Sequence, residues 1–340
     1  EVTERGTMKT AILAIILFCV MIFPHELGHY IAAKKLGVKV NEFAFGMGPV
    51  IWKKQKGETL HSIRLFPVGG FCAMEGEDED SDEPRAFSNK KPWQKIVILA
   101  AGSFMNVVCA VVIMALVVGI IGFNTTTVDQ VTDGSPAYEA GVNSGDRIIS
   151  IDGDEIDEWA DISQAISTSE GDSISMVVER NGEENTLDLT PVLNENGQYI
   201  IGITSDISHN PFKAVVEGAK ATWNMTITMF DTLGQLFTGQ LGADSLSGPV
   251  GMVQMVNQTS QYGFWYYGFL TALICINLAI INMLPLPALD GGRIIFVLYT
   301  MITGKQVSQK VEGTIHLVGL ALLFGLMIYV TFNDITRIFA

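Results

Sequence analysis

The run TAILAIILFCVMIFPHELGHYIAA, Thr10 to Ala33, decides how this chain is read. It is apolar and slightly longer than the ~20 residues that cross a bilayer as helix. Yet it carries His25-Glu26-Leu27-Gly28-His29 toward its end. On a helix, residues i and i+4 share one face, so both imidazoles can reach one metal ion. Glu26 stands beside the first and can take a proton from a metal-activated water. Ionisable side chains inside an apolar span are costly unless paired or metal-bound, which marks these three as functional. The plainer reading is a pair of helix-packing histidines with a partnered Glu. Pro24 removes one backbone donor just before the motif and is expected to open the helix there.

Three further apolar runs reach spanning length: Ile96–Phe123, Phe264–Leu289 and Ile315–Phe332. With 48% hydrophobic residues and a mean hydropathy of +0.33, the 340-residue chain reads as several spans plus one soluble domain. A net charge of -15 excludes a nucleic-acid partner of the usual basic kind. Cys19, Cys72, Cys109 and Cys275 form no CxxC pair and read as small apolar core residues. The segment Lys34–Lys95 holds 11 of the 21 Lys and Arg residues, whereas Phe123–Leu270 holds only Arg147, Arg180, Lys213 and Lys220. Short basic loops stay in the cytoplasm, so the acidic middle domain and both termini are predicted to lie outside. Glu1–Thr7 reads as a non-native remnant ahead of Met8-Lys9.

The middle stretch is built from turn signals and short alternating strands. Gly134-Ser135-Pro136-Ala137 leads to a short helix. Gly145-Asp146-Arg147-Ile148-Ile149-Ser150-Ile151-Asp152-Gly153 follows as strand and hairpin turn. A second helix is predicted over Asp161–Ser169, and two strands pair around Asn181-Gly182. The phrase resembles a PDZ domain over about Thr126–Ile203. Tyr199-Ile200-Ile201-Gly202-Ile203 reads either as a loop whose N–H groups capture a peptide carboxylate or as a plain closing strand. His209–Gly239 has the pattern of an amphipathic surface helix. Ser247-Gly248-Pro249-Val250-Gly251 is predicted to be a tight turn.

A catalytic zinc takes three protein ligands and leaves one position open. The candidate third ligand is Asp290, in Asn282-Met283-Leu284-Pro285-Leu286-Pro287-Ala288-Leu289-Asp290-Gly291-Gly292. This run ends the third span at the same cytoplasmic depth as His25 and His29. A helix cap is the competing role for Asp290.

HExxH in a first span, a PDZ-like middle domain and an N-x-x-P-x-P-x-L-D-G-G run in a late span together resemble the bacterial site-2 protease family. The likeness is to the regulator-of-sigma-E branch, and it covers nearly the whole chain. The resemblance implies an intramembrane zinc metalloprotease that performs regulated intramembrane proteolysis. Its substrates would be single-span proteins such as anti-sigma factors, or signal-peptide remnants. It implies Zn2+ on His25, His29 and Asp290, Glu26 as catalytic base, and substrate handling by Asn282 and Pro285. Two departures stand out: one PDZ domain where the best-known relatives have two, and Ser103 where the family usually has Pro.

The predicted fold class is thus a polytopic α-helical membrane protein with four transmembrane helices, a membrane-associated β hairpin and one extracytoplasmic α+β PDZ domain. Residues 8–37 form the first transmembrane helix, 38–93 the β region with its acidic linker at Glu75–Glu83, and 94–123 the second helix. The PDZ domain takes 124–206, the amphipathic helix and turn 207–262, the third transmembrane helix 263–292, a cytoplasmic loop 293–313 and the fourth helix 314–334. The β region, Val38–Met74, is read either as dipping into the membrane to pair with an unwound substrate or as a cytoplasmic hairpin docked on the helices. The expected location is the bacterial plasma membrane, with the active site near the cytoplasmic face and the lipid bilayer and membrane-protein substrates as partners. A catalytically inactive PDZ adaptor and a zinc transporter are the rival functions; zinc content and metal flux separate them.

Overall fold

The computed structural model describes residues 2–77, 81–242, 247–305 and 307–339. Residue 1 of the expected remnant and residues 78–80 of the acidic linker lie outside the described residues. So do residues 243–246, ahead of the expected turn, and residue 306 of the expected cytoplasmic loop. The chain divides into two compact units, residues 118–217 and the remainder.

The larger unit is built on helices, because a backbone in lipid must satisfy its own polar groups. α1 (Val2–Lys35) runs without a break through Pro24. The hairpin strands β1 (Val40–Lys56) and β2 (Thr59–Met74) follow, then α2 (Pro92–Ile121). Among the described residues, four helical stretches are long and apolar enough to cross a membrane: Thr10–Lys35, Pro92–Ile121, Phe264–Met283 and Lys310–Arg337.

The hairpin uses each long strand twice. Phe43 pairs with both Cys72 and His61, and His61 also pairs with Lys54. The pairing order across the sheet is therefore 50–56, 59–64, 40–45 and 70–74, with bends at Gly46 and Gly48 (φ 86° and 87°). The segment 70–74 is an edge that lies against α1, where a Cβ on Gly70 would stand 3.3 Å from Glu26 Cγ.

The smaller unit begins with β3 (Phe123–Val131), α3 (Pro136–Glu139), β4 (Arg147–Ile151), β5 (Asp154–Glu155) and α4 (Trp159–Thr168). It continues through β6 (Ile174–Arg180), β7 (Glu183–Leu189), β8 (Val192–Leu193), β9 (Tyr199–Ile200) and β10 (Ile203–Ser208). The antiparallel sheet has the order β10-β3-β4-β6-β7, with β5 paired to β4. Ile148, Ile151, Ile162, Ile174, Met176 and Val178 close its core. A register shift between Ile148 and Ser150 puts both Ile148 and Ile151 inside, where strict alternation would have split them. Asn181 and Gly182 both take positive φ (54° and 84°), the geometry of a two-residue hairpin turn.

Beyond that unit the helices depart from the sequence reading in two places. After α5 (Pro211–Phe237), the predicted turn at Ser247–Gly251 instead opens a helix, α6 (Pro249–Gln261). Pro249 sits at its first position, where a missing N–H costs nothing. Asp334 accepts hydrogen bonds from Gly248 N (2.9 Å) and Gly251 N (2.8 Å), so the helix start is capped. The third apolar run also does not continue to Leu289. α7 (Phe264–Met283) ends before Pro285, and α8 (Asp290–Thr303) occupies much of the predicted loop 293–313. Pro285 and Pro287 cannot extend α7, so the break expected at these residues is present, but it falls before Leu284 rather than after Leu289. α9 (Gln309–Phe339) is the last helix.

Candidate metal centre

α1 carries the first two donors on one face because they lie four residues apart. His25 and His29 are 9% and 8% exposed, on the side of α1 that meets α2. His29 Nδ1 lies 2.8 Å from the Ile98 carbonyl oxygen of α2. That contact places the proton on Nδ1 and leaves the Nε2 lone pair pointing into the site. Gly102, one turn further along α2, makes room for both rings. A Cβ there would stand 2.4 Å from His29 Nε2 and 2.8 Å from His25 Nδ1.

The third donor arrives on the first residue of α8. Asp290 Oδ2 is 3.3 Å from His25 Nε2 and 3.4 Å from His29 Nε2, and the two Nε2 atoms are 3.2 Å apart. The three atoms make a nearly equilateral triangle. A tetrahedral zinc with bonds of about 2.0–2.1 Å requires ligand–ligand edges of about 3.3–3.4 Å, by geometry alone. Asp290 Oδ2 is buried and receives no hydrogen bond of acceptable geometry, the condition of a carboxylate oxygen awaiting a cation. Donor chemistry, spacing and the orphaned oxygen all fit a divalent metal. Among the described residues, this trio is the group of His, Cys, Asp or Glu able to hold one.

Glu26 sits half-buried beside the trio and interacts electrostatically with His29, His25 and Asp290. It lies against the edge segment 70–74, where a Cβ on Gly70 would stand 3.3 Å from its Cγ. Asn282, on the last turn of α7, brings its Nδ2 to 3.3 Å from His25 Nε2. Pro285 is exposed in the α7–α8 turn, and no contact with the trio places it in the site.

Two features of α2 escaped the sequence reading. Gly102 was given no role there. Asn106, fully buried one turn beyond it, has no protein hydrogen-bond partner for either amide atom, and neither has the Ser103 hydroxyl. The signal was the polar Ser103 and Asn106, with the small Gly102, inside an otherwise apolar helix.

The smaller unit has its own cleft, of about 880 Å³, between α4 and the segment Gly197–Ile203. Ile162, Ile166, Tyr199 and Ile201 supply its apolar wall.

The family model for peptidase family M50 matches residues 13–326. A protein of Clostridium acetobutylicum is 37% identical over 329 residues, covering 95% of this chain and 96% of that one. The regulator of sigma-W protease RasP of Bacillus subtilis is 32% identical, with 98% of this chain and 99% of RasP covered. Zinc metalloprotease RasP of Geobacillus kaustophilus is 30% identical, with the same coverage of 98% and 99%. Among solved structures, the PDZ domain of the SdrC-like protein of Listeria monocytogenes aligns with 24% identity. That alignment takes in 24% of this chain and 88% of that one, at a TM-score of 0.23.

Proposed function

This chain belongs to peptidase family M50, and from that premise we propose that His25, His29 and Asp290 hold a zinc ion with which Glu26 cleaves transmembrane segments of other proteins. It is a membrane metalloendopeptidase of the site-2 type. The observation that carries the residue assignment is the triangle of donor atoms at 3.2, 3.3 and 3.4 Å, with its orphaned Asp290 oxygen.

Bound zinc supplies a Lewis acid for the scissile carbonyl and lowers the pKa of water at the site. Glu26 takes the proton of the attacking water and delivers it to the leaving amine. His29 is held in the correct tautomer by Ile98, and Gly102 keeps the space beside both rings open. Asn282, whose Nδ2 faces His25, is placed to orient a substrate group beside the trio. Pro285, together with Pro287, keeps the α7–α8 turn from joining α7, which lets Asp290 enter the site.

A helical substrate hides its peptide bonds, so it must unwind before attack. The edge segment 70–74 is the element suited to receive the unwound strand, since it lies next to Glu26 and pairs on one side only with 40–45. Contact of the hairpin with lipid is supported by its exposed Met47, Ile51, Trp52, Leu65 and Phe66. Its Arg64 is paired with Glu42 at 2.8 Å, which suits an apolar setting. The unit 118–217 is read as a PDZ domain outside the membrane, on the strength of its strand order, its two helices and its cleft. Its task would be to hold the outer end of the substrate. An inactive adaptor would have no use for Glu26 beside the trio.

The test uses purified protein in liposomes with a single-span substrate. Wild type is expected to cleave it and Glu26→Gln to fail, with about one zinc per chain in both. Cleavage by Glu26→Gln at the wild-type rate would sink the assignment of the base.

A further inference from the structure

We infer that His316 of α9 is a positioning residue for the third metal ligand, acting through the backbone of Ala288. The inference rests on the metal reading of the site given above.

Three contacts bear on the turn that delivers Asp290. His316 Nδ1 accepts a hydrogen bond of 2.8 Å from the Ala288 N–H. Ala288, two residues before Asp290, has φ 73°, a left-handed conformation that a residue with a Cβ seldom adopts. The same imidazole packs edge-on against Phe296 of α8, with ring centroids 5.6 Å apart. His316 thus grips the chain on both sides of Asp290. One turn along α9 on the same face, a Cβ on Gly319 would stand 2.3 Å from Pro287 Cβ, so only glycine lets α9 lie this close to the turn.

The chemistry follows from the donor. For Nδ1 to accept, the ring proton must sit on Nε2, the nitrogen that faces Glu312 at 3.7 Å. Glu312 therefore favours the tautomer that the Ala288 contact needs. Without that acceptor, nothing on α9 holds the Ala288 N–H, and the residue is free to relax toward negative φ. Asp290 begins α8 two residues later, so a rotation at Ala288 moves its carboxylate. A metal ligand tolerates displacements of only about 0.5 Å, and loss of a group that orients a ligand typically costs 10- to 100-fold in metal affinity. In this arrangement α9 is the back wall of the ligand turn.

The experiment compares wild type, His316→Ala, His316→Asn and the double variant Ala288→Gly/His316→Ala. Zinc affinity is read by chelator competition, kcat and KM on a single-span substrate in liposomes, and Tm on the metal-free protein. His316→Ala is expected to bind zinc at least about 10-fold more weakly, with kcat reduced at limiting zinc, KM unchanged and the metal-free Tm unchanged. His316→Asn, which keeps an acceptor near the Nδ1 position, is expected to restore most of the affinity. Glycine at 288 adopts positive φ freely, so the double variant is expected to recover several-fold over His316→Ala. Unaltered zinc affinity in His316→Ala would overturn the inference. So would equal losses in the Ala and Asn variants accompanied by a lower metal-free Tm, the mark of a merely structural role. If wild type itself binds no zinc, the metal reading falls and this inference with it. If wild type binds and His316→Ala binds equally, only this inference falls.

Discussion

Gly102 shows how little room the site leaves at the level of single residues. Its missing Cβ would fall 2.4 Å from a proposed ligand atom, His29 Nε2. Gly102→Ala is therefore expected to push the imidazole off its position and weaken zinc binding by about 10-fold or more, as loss of ligand orientation does elsewhere. Chelator competition on the purified variant reads this directly, and unchanged affinity would show that the ring can move aside. Glu26→Gln is the converse case: zinc retained, with cleavage reduced by at least about 100-fold, the usual contribution of a positioned general base. His25, Glu26 and His29 were legible in the sequence because helical spacing is local information: two residues four apart on a helix must share a face. Asp290 was legible only in the company of HExxH, since its other plausible role was to cap a helix. The structure places Asp290 at the start of α8 and also within 3.4 Å of both histidines. Gly102 and Asn106 were passed over, and Ser103 was noted only as a departure from the family's usual Pro, because the cost of a Cβ or of an unpaired polar group appears only once a neighbouring helix is in place.

At the level of elements, apolarity located the long helices, and turn chemistry located what interrupts them. Pro285, Pro287, Gly291 and Gly292 made the helix break legible, but the apolar Leu284, Leu286, Ala288 and Leu289 carried the third span past its true end at Met283, and α8 was read as loop. The folding-back of β1 and β2 into four pairing segments was not readable, since one strand serving two partners leaves no period in the sequence. In the smaller unit, Asp146 is 1% exposed and its oxygens receive Arg180 Nε and Nη2, each at 2.7 Å. Burial tends to raise the Asp146 carboxyl, but Arg180 and the Asn143 N–H outweigh it and hold it below the usual carboxylate range. A depressed folded-state value means the contribution is fully present above the ordinary carboxylate pKa of about 3.9 and is lost as pH falls through the folded-state value. Arg180→Ala leaves that carboxylate buried without its cation. We expect a lower Tm, the effect moderated because the Arg180 side chain is 32% exposed. Thermal unfolding of the full chain at pH 7 checks this. Down to about pH 5 the gap from wild type should hold, and it should narrow on acidification below the ordinary carboxylate value. A gap that stays constant to pH 2 would refute the assignment.

At the scale of the whole molecule, charge carries the topology. The Lys- and Arg-rich segment 34–95 is proposed to face the cytoplasm and the acidic unit 118–217 the outside. A membrane-impermeant maleimide applied to intact cells is expected to label Glu184→Cys and to leave Lys54→Cys unlabelled until the membrane is opened. Both positions are exposed, and the four native thiols, buried or half-buried, provide the blank. The reverse pattern would invert the orientation. The claim on which everything else depends is that His25, His29 and Asp290 together make one zinc site. Zinc content of the purified protein, measured alongside Asp290→Ala and Glu26→Gln, tests it most directly. The expected result is about one zinc per chain in wild type and in Glu26→Gln, with little or none in Asp290→Ala. Full zinc occupancy in Asp290→Ala, or none in wild type, would contradict the assignment of these three residues.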